Sequence, residues 1–249
     1  MKWILLFFAF WNVGGGLLRL FRMQLERLPF VGRLYPNRNT LSLDEVSDLE
    51  LIPAAKARYR AAVDKLSRAV GMRAPDLFCS LKSSMLAGTR GWRRHQVHVS
   101  RGFLIHANDR ELLAVIAHEL GHVYYRHFAV LRIAELLAAV VYARIVFALW
   151  NTHLSWFAYL ACWSLLDFSF SMTRLAVGSA TELMADHFAA HKLNLAEELS
   201  RGLLRAQCFN GATEFAQITH FYPTVKLRLR LLSRYARSLA GQYASPALP

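Results

Sequence analysis

Cysteine is scarce. The 249 residues carry three, Cys79, Cys162 and Cys208, widely spaced and with no CxxC pair. That argues against both a disulfide framework and a cysteine-based zinc site. Acidic residues are also few: 17 Asp and Glu stand against 30 Lys and Arg, for a formal net charge of +13. No internal repeat or low-complexity tract is present, which removes solenoids and biased linkers. Only Lys2 precedes the N-terminal apolar run and no A-x-A site follows it, so a cleaved secretory signal is set aside. Apolar residues, by contrast, make up 55% of the chain, and the mean hydropathy is +0.23. Such a chain is not disordered. Being apolar and basic at once, it suits an anionic membrane surface or nucleic acid.

The apolar excess is unevenly placed. Trp3 to Leu18 has no charge and, extended to Phe21, takes in only Arg19, which could snorkel. This predicts an N-terminal transmembrane anchor over residues 1–22. The cations that follow, including Arg22, Arg27 and Arg33, predict that the next part is cytoplasmic. A second apolar region, residues 130–173, is broken at Asn151, Thr152 and His153 into two halves, each about one membrane span long. Cations flank it at Arg126, Arg132 and Arg174 but not at its tip, which predicts a helical hairpin with both ends on one side. The charges Glu135, Arg144 and Asp167 favour instead a pair of long core helices, while Trp150, Trp156 and Trp163 favour the membrane.

The remaining segments, 41–129 and 174–238, read as two parts of one domain, with 239–249 as a loose tail. Helical spacing over Asp44 to Val70 predicts a surface helix ended by Gly71. Leu77 to Ser80, Met85 to Ala87 and Gln96 to Ser100 read as short strands. Asn108 or Asp109 then caps a helix that starts near Arg110. The expected class is mainly α with a small β-sheet (α+β).

That capped helix contains His118-Glu119-Leu120-Gly121-His122, an HExxH motif. Residues i and i+4 share a helix face, so His118 and His122 can aim two imidazole nitrogens at one Zn²⁺. Glu119, rotated about 100° from His118, can instead reach a metal-bound water and act as general base. A catalytic zinc needs a third protein ligand. Glu182 and Asp186, again i and i+4, supply a candidate ligand and a carboxylate to hold a ligand histidine from behind. His187 and His191 lie nearby and could substitute. Because His118 and His122 precede the apolar hairpin and Glu182 follows it, the three can meet only if the chain crosses a membrane an even number of times between them. A hairpin of two crossings satisfies that, and so does a pair of helices that does not cross at all.

HELGH, the following His122 to His127, an apolar hairpin and then ELMAD together resemble the HtpX-like and type I CAAX prenyl protease peptidases, family forty-eight of the metallopeptidases. Ser84 to Gly88 is similar to that family's N-A-F-A-x-G segment, and Val97 to Ser100 to its V-x-V-T strand; the likeness covers roughly residues 45 to 235. The resemblance implies a gluzincin fold with an edge strand that aligns substrate, one Zn²⁺ held by His118, His122 and Glu182, and Asp186 behind a ligand. It also implies a multi-pass protein of the bacterial inner membrane with a cytoplasmic site, acting on membrane proteins in quality control. The family's H-P-x-x-x-x-R segment departs here: Tyr222 precedes Pro223, and His220 lies two residues earlier. Either Tyr222 or His220 is a candidate to stabilise the oxyanion.

The leading expectation is therefore a membrane-associated zinc endopeptidase with polypeptide substrates. The alternative is a non-proteolytic zinc-containing chaperone or assembly factor, which the open fourth zinc position and Glu119 rank lower. Arginines around Trp92 and along a basic helix (Arg228, Arg230, Arg234, Arg237) raise nucleic acid as a third partner, but no recognition motif accompanies them.

Overall fold

The computed structural model describes residues 40–47, 51–91, 94–150, 155–211 and 223–244. The expected N-terminal anchor, Tyr222 and His220 lie outside these residues. The order of elements is β1 (Thr40–Ser42), α1 (Pro53–Ala69), β2 (Asp76–Ser80), β3 (Ala87–Arg90), β4 (Gln96–Ser100), α2 (Arg101–His106), α3 (Asp109–Tyr124), α4 (His127–Trp150), α5 (Trp156–His187), α6 (Ala196–Asn210) and α7 (Val225–Ala244). The chain divides into two compact units. One contains Arg38–Val130 with Val177–Pro249; the other contains Leu131–Ala176.

In the first unit four strands run in the order β1-β2-β4-β3. β2 and β4 are parallel, with Cys79 opposite Val99, and β1 and β3 are antiparallel to their neighbours. Among the described residues β3 is thus an edge strand. Cys79, Val97 and Val99 turn inward, as strand alternation requires. Against them α1 buries Ala55, Tyr59, Ala62, Val63 and Leu66, one face of a helix. The Tyr59 hydroxyl donates to the Val97 carbonyl at 2.8 Å, which satisfies the only polar atom of that ring in the core.

Several expected boundaries move. α1 starts at Pro53, not Asp44, because proline has no N–H to contribute and belongs in a helix's first turn. It does end as expected, with Gly71 at φ +68°. Met85 is not in a strand: its N–H donates to the Asn210 side chain and its carbonyl accepts from the same amide, each at 2.8 Å. The strand accordingly starts at Ala87. β1 was not anticipated; three residues are too short a run for periodicity to mark. Leu239 to Ala244 continue α7 and are not a loose tail, since no proline interrupts the run before Pro246.

α3 is the central helix. Asn108 caps it: its side chain accepts from the Glu111 N–H at 2.9 Å, and the Glu111 carboxylate accepts from the Asn108 N–H at 3.1 Å. Glu111 is also buried and paired with Arg205 at 3.0 Å. Nearly every position from Leu112 to Val123 is buried, so α3 is enclosed on all sides.

The second unit is an antiparallel helical pair. Glu135 meets Arg174 at 3.1 Å, the Tyr142 ring meets Trp163 edge-on, and the Tyr159 hydroxyl donates to the Leu149 carbonyl at 3.0 Å. Many of its large apolar side chains face outward, among them Leu137, Phe147, Phe157 and Leu165. Even so, among the described residues no helix is long and apolar enough to cross a membrane. The expectation of two full spans is corrected to that extent. Glu135, Arg144 and Asp167 interrupt the apolar runs, and Glu135 pairs with the flanking Arg132 and Arg174.

Candidate metal centre

The i,i+4 spacing on α3 puts the His118 and His122 rings one turn apart, with their Nε2 atoms 3.2 Å from each other. Glu182, near the C-terminal end of α5, brings its carboxylate to 3.3 Å from His118 Nε2 and 3.5 Å from His122 Nε2. Ligand atoms bound at zinc distances to one tetrahedral ion stand about 3.3 Å apart. The three separations therefore fit a single metal ion held by two imidazoles and a carboxylate. All three groups are largely or wholly buried.

Gly121 makes the approach of the two helices possible. A Cβ there would lie 3.0 Å from the Ala185 Cα and 3.2 Å from the Phe188 Cβ. No other residue allows α3 to lie this close to α5 without a shift. A π-helical turn, Phe188–Lys192, follows directly on α5 and buries Phe188, Ala189 and Ala190 beneath the centre.

A second layer surrounds the three groups. The Asp186 carboxylate, one turn after Glu182, accepts from His118 Nδ1 at 2.9 Å. Arg228 of α7 grips Asp186 with two bonds of 2.6 and 2.7 Å and lies 3.4 Å from Glu182. Glu119 is offset by about 100° from His118 around α3, and its Oε2 accepts from the Thr89 hydroxyl of β3 at 2.6 Å. His127 Nδ1 lies 2.9 Å from His122 Nδ1.

The protonation balance follows from this packing. Burial opposes a charge on His118, but the bonded Asp186 and Glu182 carboxylates raise it to about 10. Burial and the neighbouring charge on His118 lower His122 to about 3. Burial works to raise Glu182, yet its bond to His118 and the charges of His118 and Arg228 bring it down to about 2. Asp186 is likewise held well below the usual carboxylate range, by Arg228 and His118 against the effect of burial. Burial lifts the Glu119 carboxyl, a shift that the His118 charge and the Thr89 bond partly offset. The two carboxylates thus draw a positive charge to His118 Nε2. A dication would replace that proton.

The structure brings His118, Glu119, His122, Glu182 and Asp186 together. It does not bring His187 and His191 there: those rings stack on each other at 4.8 Å and both lie against Tyr235. Three residues of the site were not singled out for it from the sequence. Arg228 is buried, not part of a solvent-facing basic helix, and its one visible signal was its place in the Pro223-to-Arg228 frame. Thr89 carried no signal, because its partner lies 30 positions away. His127 stood in the motif without a role.

Two histidines a turn apart on a buried helix, a carboxylate from a second helix and a buried glutamate beside them define a centre of metallopeptidase type. The chain belongs to peptidase family M48, whose sequence pattern matches residues 53–236. It is 26% identical over 150 residues to a protease HtpX homolog of Sulfurovum sp. (strain NBC37-1), a match covering 57% of this chain and 54% of that protein. Its fold is similar to the crystal structure of S. mikatae Ste24p, with a TM-score of 0.59, 16% identity, and coverage of 93% of this chain and 58% of the other. The chain thus spans somewhat more than half the length of these relatives.

Proposed function

We propose that this protein is a membrane-associated zinc endopeptidase, with His118, His122 and Glu182 as ligands and Glu119 as general base. The observation that carries this reading is the set of three separations that fit one tetrahedral ion, with Glu119 buried beside them. Three groups converge among the described residues, the count of a catalytic zinc site; structural sites use four. Bound there, zinc supplies Lewis acidity to the scissile carbonyl and lowers the pKa of the attacking water.

The chain's own residues do the rest. Glu119 takes the proton of the attacking water on its carboxylate and returns it to the leaving amine. Thr89 donates to Oε2 and so leaves Oε1 as the working base atom. A raised carboxyl value brings its proton affinity closer to neutral pH, where such a shuttle works best. Asp186 keeps the His118 proton on Nδ1, so that Nε2 offers its lone pair. Arg228 balances the charge of Asp186 and Glu182 when His118 is neutral. The edge strand β3 carries Thr89, and its open side suits a substrate backbone laid antiparallel to it. Tyr222 or His220 remains the sequence's candidate for the oxyanion.

Support for the membrane comes from the outward apolar residues of the helical pair and the uncharged Trp3 to Leu18 run. The substrates on this reading are polypeptides, membrane proteins among them, met on the cytoplasmic side of a bacterial inner membrane in quality control. The test is chelation of the purified protein: casein cleavage should stop on zinc removal and return with one equivalent of zinc. Cleavage that survives complete zinc removal would overturn the proposal.

A further inference from the structure

We infer that His127 is a positioning residue for the metal centre, holding His122 by an imidazole–imidazole hydrogen bond in the tautomer that leaves Nε2 free to bind metal. This rests on the zinc reading above and adds to it the device that fixes the second ligand.

The backbone is bent to make this contact. α3 ends at Tyr124, and Arg126 then takes φ +53°, the left-handed region that a residue with a side chain disfavours. That single turn restarts the chain as α4 at His127 and folds its ring back onto α3. The two rings meet edge-on, with centroids 4.9 Å apart, while Tyr125 stacks on His127 at 5.4 Å. His127 is 2% exposed.

The tautomer follows from counting protons. A neutral imidazole carries one N–H. His122 Nε2 faces His118 and Glu182, so to offer a lone pair there its proton must sit on Nδ1. The acceptor 2.9 Å from that Nδ1 is His127 Nδ1. His127 must then carry its own proton on Nε2, an atom that is buried and has no hydrogen-bond partner among the described residues. Both the left-handed Arg126 and the orphaned Nε2 work against stability. An apolar ring could stack on Tyr125 without the second penalty, so packing alone does not account for an imidazole here. Asp186 does for His118 at 2.9 Å what His127 does for His122. One ligand is held by a carboxylate and the other by a neutral ring.

The experiment measures zinc affinity of the full chain by chelator competition, with thermal unfolding of the metal-free protein alongside. The variants are His127→Phe, which keeps a ring but loses the acceptor, and His127→Asn, whose Oδ1 can stand where Nδ1 stood. His127→Phe should weaken zinc binding about 10–100-fold while the metal-free protein melts no lower than wild type. His127→Asn should restore most of the affinity. If the Phe variant does not fold, His127→Met takes its place. Wild-type affinity in the Phe or Met variant, or equal loss in these and in Asn, would overturn the inference while leaving the zinc centre intact. A wild-type chain that binds no zinc, or a His118→Ala variant that binds it as well as wild type, would remove the centre itself, and this role with it.

Discussion

In the sheet-containing unit Tyr59, Ile116, Leu120 and Phe188 are fully buried, while in the helical pair Leu137, Phe147 and Phe157 are 61%, 70% and 80% exposed. Charge is distributed in the reverse sense. The first unit buries Glu119, Asp186 and Arg228 around the candidate metal site, whereas the second pairs Glu135 with Arg132 and Arg174 and keeps its apolar surface outside. The first unit thus keeps its apolar side chains inside and gathers buried charged groups at the candidate metal site. The second leaves large apolar side chains on its surface, the kind of patch that marks an interaction site. The composition, apolar and basic at once, is the sum of two units with opposite arrangements.

The largest expected effect is on chemistry. Glu119→Gln removes the proton shuttle without touching a ligand atom, and cleavage should fall about 10²–10⁴-fold with zinc content unchanged. Next is the buried charge. Arg228→Met leaves Asp186 and Glu182 without their cation and should cost about 3–5 kcal/mol in denaturant unfolding. Arg230→Met, two positions on and exposed, should stay within about 0.5 kcal/mol of wild type. Equal effects would mean that α7 does not brace the centre. Gly121→Ala should cost about 1–3 kcal/mol, because the added Cβ meets the Ala185 backbone. The smallest stability effect belongs to the helical pair: Leu137→Ala in detergent should change unfolding by less than about 0.5 kcal/mol, against about 2–5 kcal/mol for Ile116→Ala. A large effect at Leu137 would mean that its surface is covered by protein.

Protonation offers a finer test. His118 is raised to about 10 in the metal-free chain. Its stabilisation is therefore complete below the unfolded value of about 6.5 and is lost as pH rises toward 10. Zinc must displace that proton, so calorimetry at pH 7.5 in buffers of different ionisation enthalpy should record release of about one proton per zinc bound. In Asp186→Asn, where the stronger of the two supports is gone, the release should shrink.

Legibility in the sequence followed contact range. His118 with His122, Glu182 with Asp186, and Asn108 with Glu111 lie three or four positions apart on helices, where spacing fixes proximity. The limits of β4 could be read from the short alternating run between turn residues. Thr89 on Glu119, Arg228 on Asp186 and Asn210 on Met85 join segments 30, 42 and 125 positions apart. No local period encodes such pairs, and Arg228 in particular looked like one more cation on a basic helix. His127 was hidden differently: helical spacing would carry it away from His122, and only the left-handed turn at Arg126 returns it.

On the proposed reading, one zinc ion and the Glu119 carboxylate act together in cleavage. The most direct measurement takes wild type and Glu119→Gln through the same purification and determines zinc per chain and peptide cleavage on each. One zinc is expected in both proteins, with cleavage by the Gln variant at least about 10²-fold slower than wild type. Cleavage by the Gln variant at the wild-type rate, or cleavage by a wild-type preparation without zinc, would contradict that reading.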